Sequence, residues 1–278
     1  MLVAVTYSVP RPQQYFYCFN TSSYIRIQMT FDLNSQMPRI GERAEILVTW
    51  YLRFNGFFPL PNFILHDGGV SKAPGQQLTE ADLLAVRPPF TEEIIAAPDG
   101  TIRTAIDRRL GIRKATTEVL ITEICSQDCK FNWLSKPEGD QRVFFSYALR
   151  RIGFWQENDI AAIVEHLMKH YFWESGTMRL RLLSFGIQRE TSRKLPDLID
   201  QITLAETLAY LQGLFTCYGE KLDRTGKYVV SDHHQWHPLV SEIYARLLGH
   251  KVPRQCPTEI CEWLLAPEVG SGQSGTGR

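Results

Sequence analysis

Three short apolar runs, bounded by proline and glycine residues, limit the folds that this chain can adopt. They span residues 62–66, 81–87 and 118–124, and runs of this length and setting are typical of buried strands. The stretch before them has five apolar residues at the spacing of one helix face: Ala44, Leu47, Val48, Tyr51 and Leu52. Residues 46–48 alone would also suit a strand, but we favour a helix over residues 41–54. This order predicts an α/β protein in which three strands follow one helix.

The second half of the sequence predicts further helices and one more strand. Residues 178–185 alternate arginine with apolar residues, as strands do. Thr203 and Glu206 have the spacing of a capping box, which marks the first turn of a helix. Another helix is predicted to begin at Pro238 and to end at Gly249, a residue suited to a left-handed C-terminal cap.

These patterns divide the sequence into four parts. Residues 1–40 form a β-rich N-terminal segment, residues 41–190 a core, and residues 191–266 a helical C-terminal region. Residues 267–278 are rich in glycine and serine, and we expect this tail to be disordered.

Charge and cysteine content narrow the classes of partner and compartment. Thirty Lys and Arg residues balance thirty Asp and Glu residues, so nucleic acid would have to bind through a local patch and not through an overall positive field. The apolar runs are too short to span a bilayer, and no signal-peptide pattern opens the sequence. Six cysteines in this setting are expected as reduced thiols. We therefore expect a cytoplasmic protein without a membrane partner.

Two acidic residues interrupt the second and third apolar runs. These are Asp82 and Glu123. Burying an ionised carboxylate costs several kcal/mol unless the group is paired or binds a metal ion. Two such strands side by side indicate that the carboxylates share one cation, and carboxylates with water suit Mg²⁺. The alternative is that both face water at strand ends, or pair with Arg87 and Arg113.

The stretches around these residues resemble the PD-(D/E)XK nuclease family. They are residues 50–58, residues 62–66, TEADLLAVR at 79–87 and TEVLITEICSQDCKFN at 117–132. The restriction-endonuclease-like core of that family has the element order α, β, β, β, α, β, which this chain offers from residue 41 to residue 185. The resemblance covers about half of the chain. It implies an α/β fold with a restriction-endonuclease-like mixed sheet flanked by helices, followed by the helical C-terminal region.

The resemblance also implies roles for single residues. In that family an Asp on the second strand and a (D/E)-x-K pair on the third strand bind the metal ion and handle the attacking water. By position, Asp82 and Glu123 match these acids, Glu45 or Glu80 would add a further carboxylate, and Mg²⁺ is the implied cofactor.

The third catalytic position departs from the family pattern. Cys125 stands two residues after Glu123, where the family has lysine. A lysine ammonium stabilises charge that develops on the scissile phosphate, whereas a thiol carries no positive charge. A lysine from elsewhere in the chain, such as Lys114 or Lys130, would have to reach the site.

A cluster of basic residues lies in the long connection between the second and third runs. Its members are Arg103, Arg108, Arg109, Arg113 and Lys114. Such a cluster would suit nucleic-acid phosphates next to the metal site, and it would equally suit a solvated charged face. Arg179 and Arg181 could extend this basic surface or pair with nearby acids.

Histidine and cysteine spacing does not favour a zinc site. His233 and His237 would share a metal ion only on one helix, and Pro238 argues against a helix there. We expect His237 to cap the helix that follows. Cys125 with Cys129, and Cys256 with Cys261, are spaced more widely than a CxxC knuckle.

Two functions remain open from the sequence. The first is a metal-dependent nuclease that uses Asp82 and Glu123 and that binds nucleic acid through the basic cluster. The second is a non-catalytic relative that keeps the fold for protein interaction or assembly. Cys125 favours the second, and the retained carboxylates favour the first.

Overall fold

Contacts within the chain divide it into two units, Met1–Met37 and Pro38–Arg278. The computed structural model describes residues 5–7, 15–17, 38–66, 77–92, 94–96, 102–104, 106–191, 199–219, 236–249 and 252–266. In the first unit, β1 (Val5–Tyr7) pairs antiparallel with β2 (Tyr15–Tyr17). These strands lie in the segment that we expected to be β-rich, most of which is outside the described residues. The predicted disordered tail, residues 267–278, is also outside them.

The second unit contains the other described elements. Its helices are α1 (Ile40–Phe54), α2 (Glu138–Ile152), α3 (Glu157–His170), α4 (Leu204–Gly219), α5 (Pro238–Leu248) and α6 (Pro257–Leu265). Its strands are β3 (Phe58–His66), β4 (Gln77–Arg87), β5 (Ile94–Ala96), β6 (Ile102–Thr104), β7 (Thr117–Ile124), β8 (Phe172–Glu174), β9 (Met178–Gly186) and β10 (Asp200–Thr203). Short 3-10 helices span Arg108–Leu110 and Asn132–Ser135.

Six of these strands form one mixed sheet in the order β10-β9-β7-β4-β3, with β8 paired to β9. The strands β3, β4 and β7 pair antiparallel, whereas β7, β9 and β10 pair parallel. The predicted α/β class, with three strands after one helix, is confirmed. The long connection between β4 and β7 holds the small hairpin of β5 and β6.

Helices cover both faces of the sheet. On one face, α1 and the three C-terminal helices bury one apolar cluster that includes Leu47, Leu120, Leu208, Ile243 and Leu264. The predicted helical C-terminal region therefore packs against α1 and completes the same core. Among the described residues, no helix combines the length and apolarity needed to cross a membrane.

The opposite face is covered by α2 and α3. Its cluster includes Val119 and Ile121 from β7, Leu182 from β9, Phe144 from α2 and Ile163 from α3. Alternation along β7 therefore assigns odd-numbered residues to this face and even-numbered residues to the α1 face.

The predicted helix caps are confirmed. The Glu206 carboxylate accepts hydrogen bonds from the Thr203 backbone N–H at 2.8 Å and its hydroxyl at 3.0 Å, while Thr203 Oγ1 accepts from the Glu206 N–H at 3.1 Å. His237 caps α5, because its Nδ1 accepts from the Leu239 N–H at 3.2 Å. Gly249 ends that helix in the left-handed region, with φ 75°.

Residues 125–132 fold back over the end of β7 and cross Gly186. Hydrogen bonds join Cys125 N–H to the Phe185 carbonyl at 2.9 Å and Cys129 N–H to the Gln188 carbonyl at 2.8 Å. A Cβ atom on Gly186 would lie 2.5 Å from Cys129 N, so a side chain at that position would displace this segment. We call residues 125–132 the covering segment.

We predict that Gly186→Ala destabilises the protein by about 1–3 kcal/mol, because the added methyl group overlaps the backbone of the covering segment. The matched control is Gly213→Ala in α4, where an added Cβ meets no atom within 4 Å. That change should stabilise the protein by up to about 1 kcal/mol through helix propensity. Urea unfolding of both variants measures the difference, and equal stabilities would contradict the packing described for Gly186.

Candidate functional site

The two predicted acids lie close together where the pairing of β4 with β7 ends. That pairing runs from Arg87 opposite Glu118 to Leu83 opposite Thr122, and Asp82 and Glu123 are the next residues along the two strands. The Asp82 carboxylate accepts a hydrogen bond from the backbone N–H of Ile124, the residue after Glu123, and its charge acts on Glu123. The two carboxylates predicted from the sequence are therefore neighbours.

The Glu123 carboxylate is buried, with 4% of the residue exposed. Its Oε2 atom accepts two hydrogen bonds from Asn132, one from the backbone N–H at 3.1 Å and one from Nδ2 at 2.7 Å. Glu123 has no ion pair with the part of the chain that the structure describes. Asn132 thus fixes one carboxylate oxygen and leaves Oε1 without a hydrogen-bond donor among those residues.

The pKa of Glu123 is raised to about 7, chiefly by burial and also by the nearby charge of Asp82, while the hydrogen bonds from Asn132 oppose the shift. The protonated acid is favoured because the charged form is desolvated and faces another carboxylate. A divalent cation between the two acids would reverse this preference and stabilise both carboxylates in their ionised form.

Asp82 is half-buried, and the end of β7 orients its carboxylate. Asp82 Oδ2 accepts a hydrogen bond of 2.7 Å from the Ile124 backbone N–H. Each acid of the pair is therefore held through one oxygen by the strand or segment beside it.

Cys125 lies at the same end of β7, on the same face as Glu123. Burial raises the pKa of its thiol, and the charges of Glu123 and Asp82 raise it further. The sulfur lies 3.8 Å from the Lys130 carbonyl oxygen, so the thiol stays protonated and adds no positive charge here.

Lys130 belongs to the covering segment beside this thiol. Its carbonyl also accepts a hydrogen bond of 2.6 Å from the buried Ser184 hydroxyl, and Ser184 stands opposite Glu123 in the parallel register. The Lys130 side chain is exposed, and its charge lowers the pKa of Cys125, against the larger effect of burial. Of the two lysines considered from sequence, Lys130 lies beside Cys125, whereas Lys114 pairs with Glu92.

Glu45 lies on α1. It lines a surface pocket of about 420 Å³ together with Glu42, Trp50, Asn62 and Trp236. Within the described ranges, no group of three or more His, Cys, Asp or Glu residues is placed to hold a metal ion. Glu80 stands on β4 opposite Ile64.

The basic cluster does not lie beside the acid pair, and this corrects the position expected from sequence. The backbone N–H of Arg113 donates a hydrogen bond of 3.1 Å to Glu118 Oε1. Glu118 is five residues before Glu123, which is about 17 Å along the strand at about 3.3 Å per residue. The connection between β4 and β7 returns to the start of β7, so Arg113 and the adjacent Lys114 lie at the opposite end of the strand, while Arg109 donates to the Glu206 carbonyl on α4 at 3.0 Å.

Several members of the basic cluster are also neutralised by acids. Arg109 pairs with Asp107 at 2.8 Å, and Lys114 pairs with Glu92. Arg113 pairs with Glu174 at 2.8 Å. Arg108 is exposed and has no ion pair within the described residues, and Arg103 lies on β6.

Buried ion pairs form around Glu118 on the α1 face. The guanidinium group of Arg181 donates to Glu118 Oε2 at 3.1 Å and to Asp200 Oδ2 at 2.6 Å. Arg179 and Arg87 stand opposite Glu118 on the two neighbouring strands. The alternative that Arg181 pairs with acids is therefore confirmed. Arg87 lies near Glu118 and is several residues away from Asp82 along β4.

Sequence reasoning missed Asn132 and Ser184. Both contact the acid pair or its covering segment through the fold-back of residues 125–132. A polar residue a few positions after a strand gives no sign of such a turn in sequence.

We compared the chain with protein-family models, curated proteins and solved structures, and none of them matches.

Proposed function

We propose that this protein is a PD-(D/E)XK nuclease-like, metal-dependent phosphodiester hydrolase that acts on nucleic acid. The observation that carries the proposal is that Asp82 lies beside the buried Glu123 at one end of the sheet. A divalent cation site requires neighbouring carboxylates that are not already neutralised. Glu123 has no ion pair within the described residues.

The strand order supports a restriction-endonuclease-like fold for the core. One helix precedes three antiparallel strands, β3, β4 and β7, and β9 then pairs parallel with β7 after two helices. The resemblance stated from sequence implies the order α, β, β, β, α, β, and α1 to β9 contains this order with α3 and the short strands added.

Asp82 and Glu123 would hold Mg²⁺ together, Glu123 through Oε1, which accepts no hydrogen bond within the described residues. When bound, Mg²⁺ supplies Lewis-acid polarisation of a phosphoryl oxygen and lowers the pKa of a coordinated water. Asn132 keeps the Glu123 carboxylate in one orientation, so less reorganisation is needed when the cation binds.

Lys130 would provide the positive charge that Cys125 lacks. Its position on the covering segment beside Cys125 would let the ammonium contact a phosphate bound at the acid pair. An ammonium in that place stabilises charge on the phosphoryl oxygens. Because Lys130 is exposed on a loop and not fixed on the strand, we expect slow turnover.

Nucleic acid would also contact the distant end of β7. The 17 Å that separates Glu123 from Glu118 corresponds to about five nucleotides of duplex at about 3.4 Å each. Arg108, the exposed and unpaired member of the basic cluster in the described part of the chain, is the residue best placed to reach phosphate there.

We predict that Glu123→Gln removes a pH dependence of folding stability. In the parent protein the pKa of Glu123 is about 7 in the folded state and about 4.3 in the unfolded state. The folded state therefore binds the proton more tightly, so stability is highest below the unfolded pKa and falls as pH rises towards 7. At about 1.4 kcal/mol per pKa unit, the loss is about 4 kcal/mol.

Urea unfolding at pH 4 and pH 8 measures this effect. Glu123→Gln should match the parent at pH 4 and exceed its stability at pH 8. The control is Glu157→Gln, because Arg150 lowers the pKa of the exposed Glu157 and its pH dependence has the opposite sign. A parent protein whose stability is unchanged across this range would contradict the raised pKa.

We predict weak cleavage of a fluorescent oligonucleotide in Mg²⁺ or Mn²⁺, which Asp82→Asn abolishes. Cys125→Lys should raise the rate by up to about 10²-fold, because it restores a fixed ammonium two residues after Glu123. Lys130→Met should lower the parent rate and have less effect in the Cys125→Lys background.

Lys136→Met is the matched control, since Lys136 is an exposed lysine that follows the same segment. Cleavage that survives Asp82→Asn would show that the activity comes from elsewhere. Absence of cleavage by both the parent and Cys125→Lys would favour the second function.

We predict that Arg108→Glu weakens nucleic-acid binding and flattens the salt dependence of log K by about 1, because one fewer phosphate contact releases one fewer counterion. Gel-shift titrations at two salt concentrations measure this, with Arg254→Glu as an exposed control in the loop before α6. Equal salt slopes in both variants would remove Arg108 from the binding surface.

The second candidate function is a non-catalytic module for protein interaction or assembly. The observation that favours it is exposed apolar surface: Phe58 is 68% exposed and Leu60 is 52% exposed on the edge strand β3, and Phe90 is 66% exposed. A parent protein that neither cleaves nor binds nucleic acid, and that self-associates in light scattering until Phe58→Ser and Leu60→Ser are introduced, would support this function.

A further inference from the structure

Two histidines lie one turn apart on the outer surface of α3. His166 and His170 have the spacing i and i+4, which places both side chains on one helix face. Their ring centroids are 4.4 Å apart. Two imidazoles bound to one zinc ion at about 2.0–2.1 Å per Zn–N bond would have centroids about 5 Å apart, so a small rotation would bring both rings to a shared ion.

The nitrogens of both rings are available to a ligand. Neither imidazole has a hydrogen bond or an ion pair with any residue in the described part of the chain. His166 is half-buried and His170 is exposed, so one side of the pair faces solvent. Coordinated water could therefore fill the positions that the two imidazoles leave.

Phe172 packs against both rings and limits their orientations. Its ring lies edge-on to His166 at a centroid distance of 5.7 Å, and 6.3 Å from His170. Tyr171, which ends α3 in the left-handed region, turns the chain so that Phe172 on β8 returns to the helix. Side chains that are already ordered lose less entropy when they bind a ligand.

We propose that His166 and His170 chelate a divalent transition-metal ion of the zinc class, with water completing the coordination. Imidazole ligands suit Zn²⁺, Ni²⁺ and Cu²⁺, whereas carboxylate and water ligands suit Mg²⁺. The donor sets therefore separate this site chemically from Asp82 and Glu123.

The histidine site is also separate in space. The strand β8 that follows His170 pairs with β9 between Arg179 and Arg181, whereas Glu123 is level with Ser184 on β9. Three or more residues along β9 correspond to about 10 Å or more. Zinc binding by the histidines thus does not depend on the proposed nuclease function.

The test is a Zn²⁺ titration of the full chain at pH 7.5, followed through the imidazole nitrogen signals in NMR. Cys256→Ser is included throughout, because Cys256 is an exposed thiol that would compete for zinc, and serine is a favourable residue at its helix N-cap position. The signals of both rings should shift together along one saturable curve.

Single substitutions separate chelation from single-ligand binding. His166→Asn and His170→Asn should each weaken zinc affinity at least about tenfold, because two-point binding is lost. His170→Cys should retain zinc, since it supplies another ligand, and Lys169→Asn on the same turn should have no effect. The backbone NMR spectrum of each variant reports whether it is folded.

Two results would overturn the proposal. One is that neither ring signal changes at millimolar Zn²⁺. The other is that the remaining histidine binds with unchanged affinity after its neighbour is replaced.

Discussion

Burial of the Glu123 carboxylate next to Asp82 is the constraint on which the rest of the candidate site depends. The apolar alternation of β4 and β7 fixes their register, and a slip of one residue would move one acid to the opposite face of the sheet. The covering segment then folds over Glu123, and Asn132 hydrogen-bonds to one of its oxygens at 2.7 Å. Gly186 admits that segment because its position leaves no room for a side chain. The strand register, the covering segment and Gly186 together keep the ionisable carboxyl group of Glu123 buried.

The two acids of β7 show why burial alone does not define a functional site. Glu118 is fully buried, and Arg181 pairs with it at 3.1 Å. Glu123 is nearly as buried, yet its described hydrogen-bond donor is the neutral Asn132, and its neighbour is another acid. The first arrangement stabilises the charge that it buries. The second shifts the carboxyl group towards its protonated form unless a cation binds, and acids with such raised pKa values cluster at functional sites.

Much of the fold was predictable because its signals are local. The apolar spacing of α1, the runs of β4 and β7 and the capping box at Thr203 each act within a few residues. The closeness of Asp82 and Glu123 also followed from an expectation of adjacent strands. The path of the long connection between β4 and β7 was not predictable from sequence. We expected its basic cluster beside the acids, whereas the connection leads to the start of β7, where Arg113 hydrogen-bonds to Glu118.

Long-range packing explains which other features of the site could not be predicted from the sequence. Asn132 and Ser184 reach the site through a fold-back whose cause is the contact at Gly186, more than fifty residues along the chain from Cys129. From sequence we considered the i and i+4 spacing only at His233 and His237; His233 lies outside the described residues, and His237 caps α5. The structure presents that spacing at His166 and His170 on α3.

The central claim is that Asp82 and Glu123 share a divalent cation, and anomalous diffraction from a crystal soaked in Mn²⁺ at pH 8 tests it most directly. The account predicts one anomalous peak between the two carboxylates, within about 2.3 Å of an oxygen of each, that disappears in Asp82→Asn. A crystal with Mn²⁺ bound elsewhere and no peak at this pair, or with the two carboxylates turned away from each other, would contradict it.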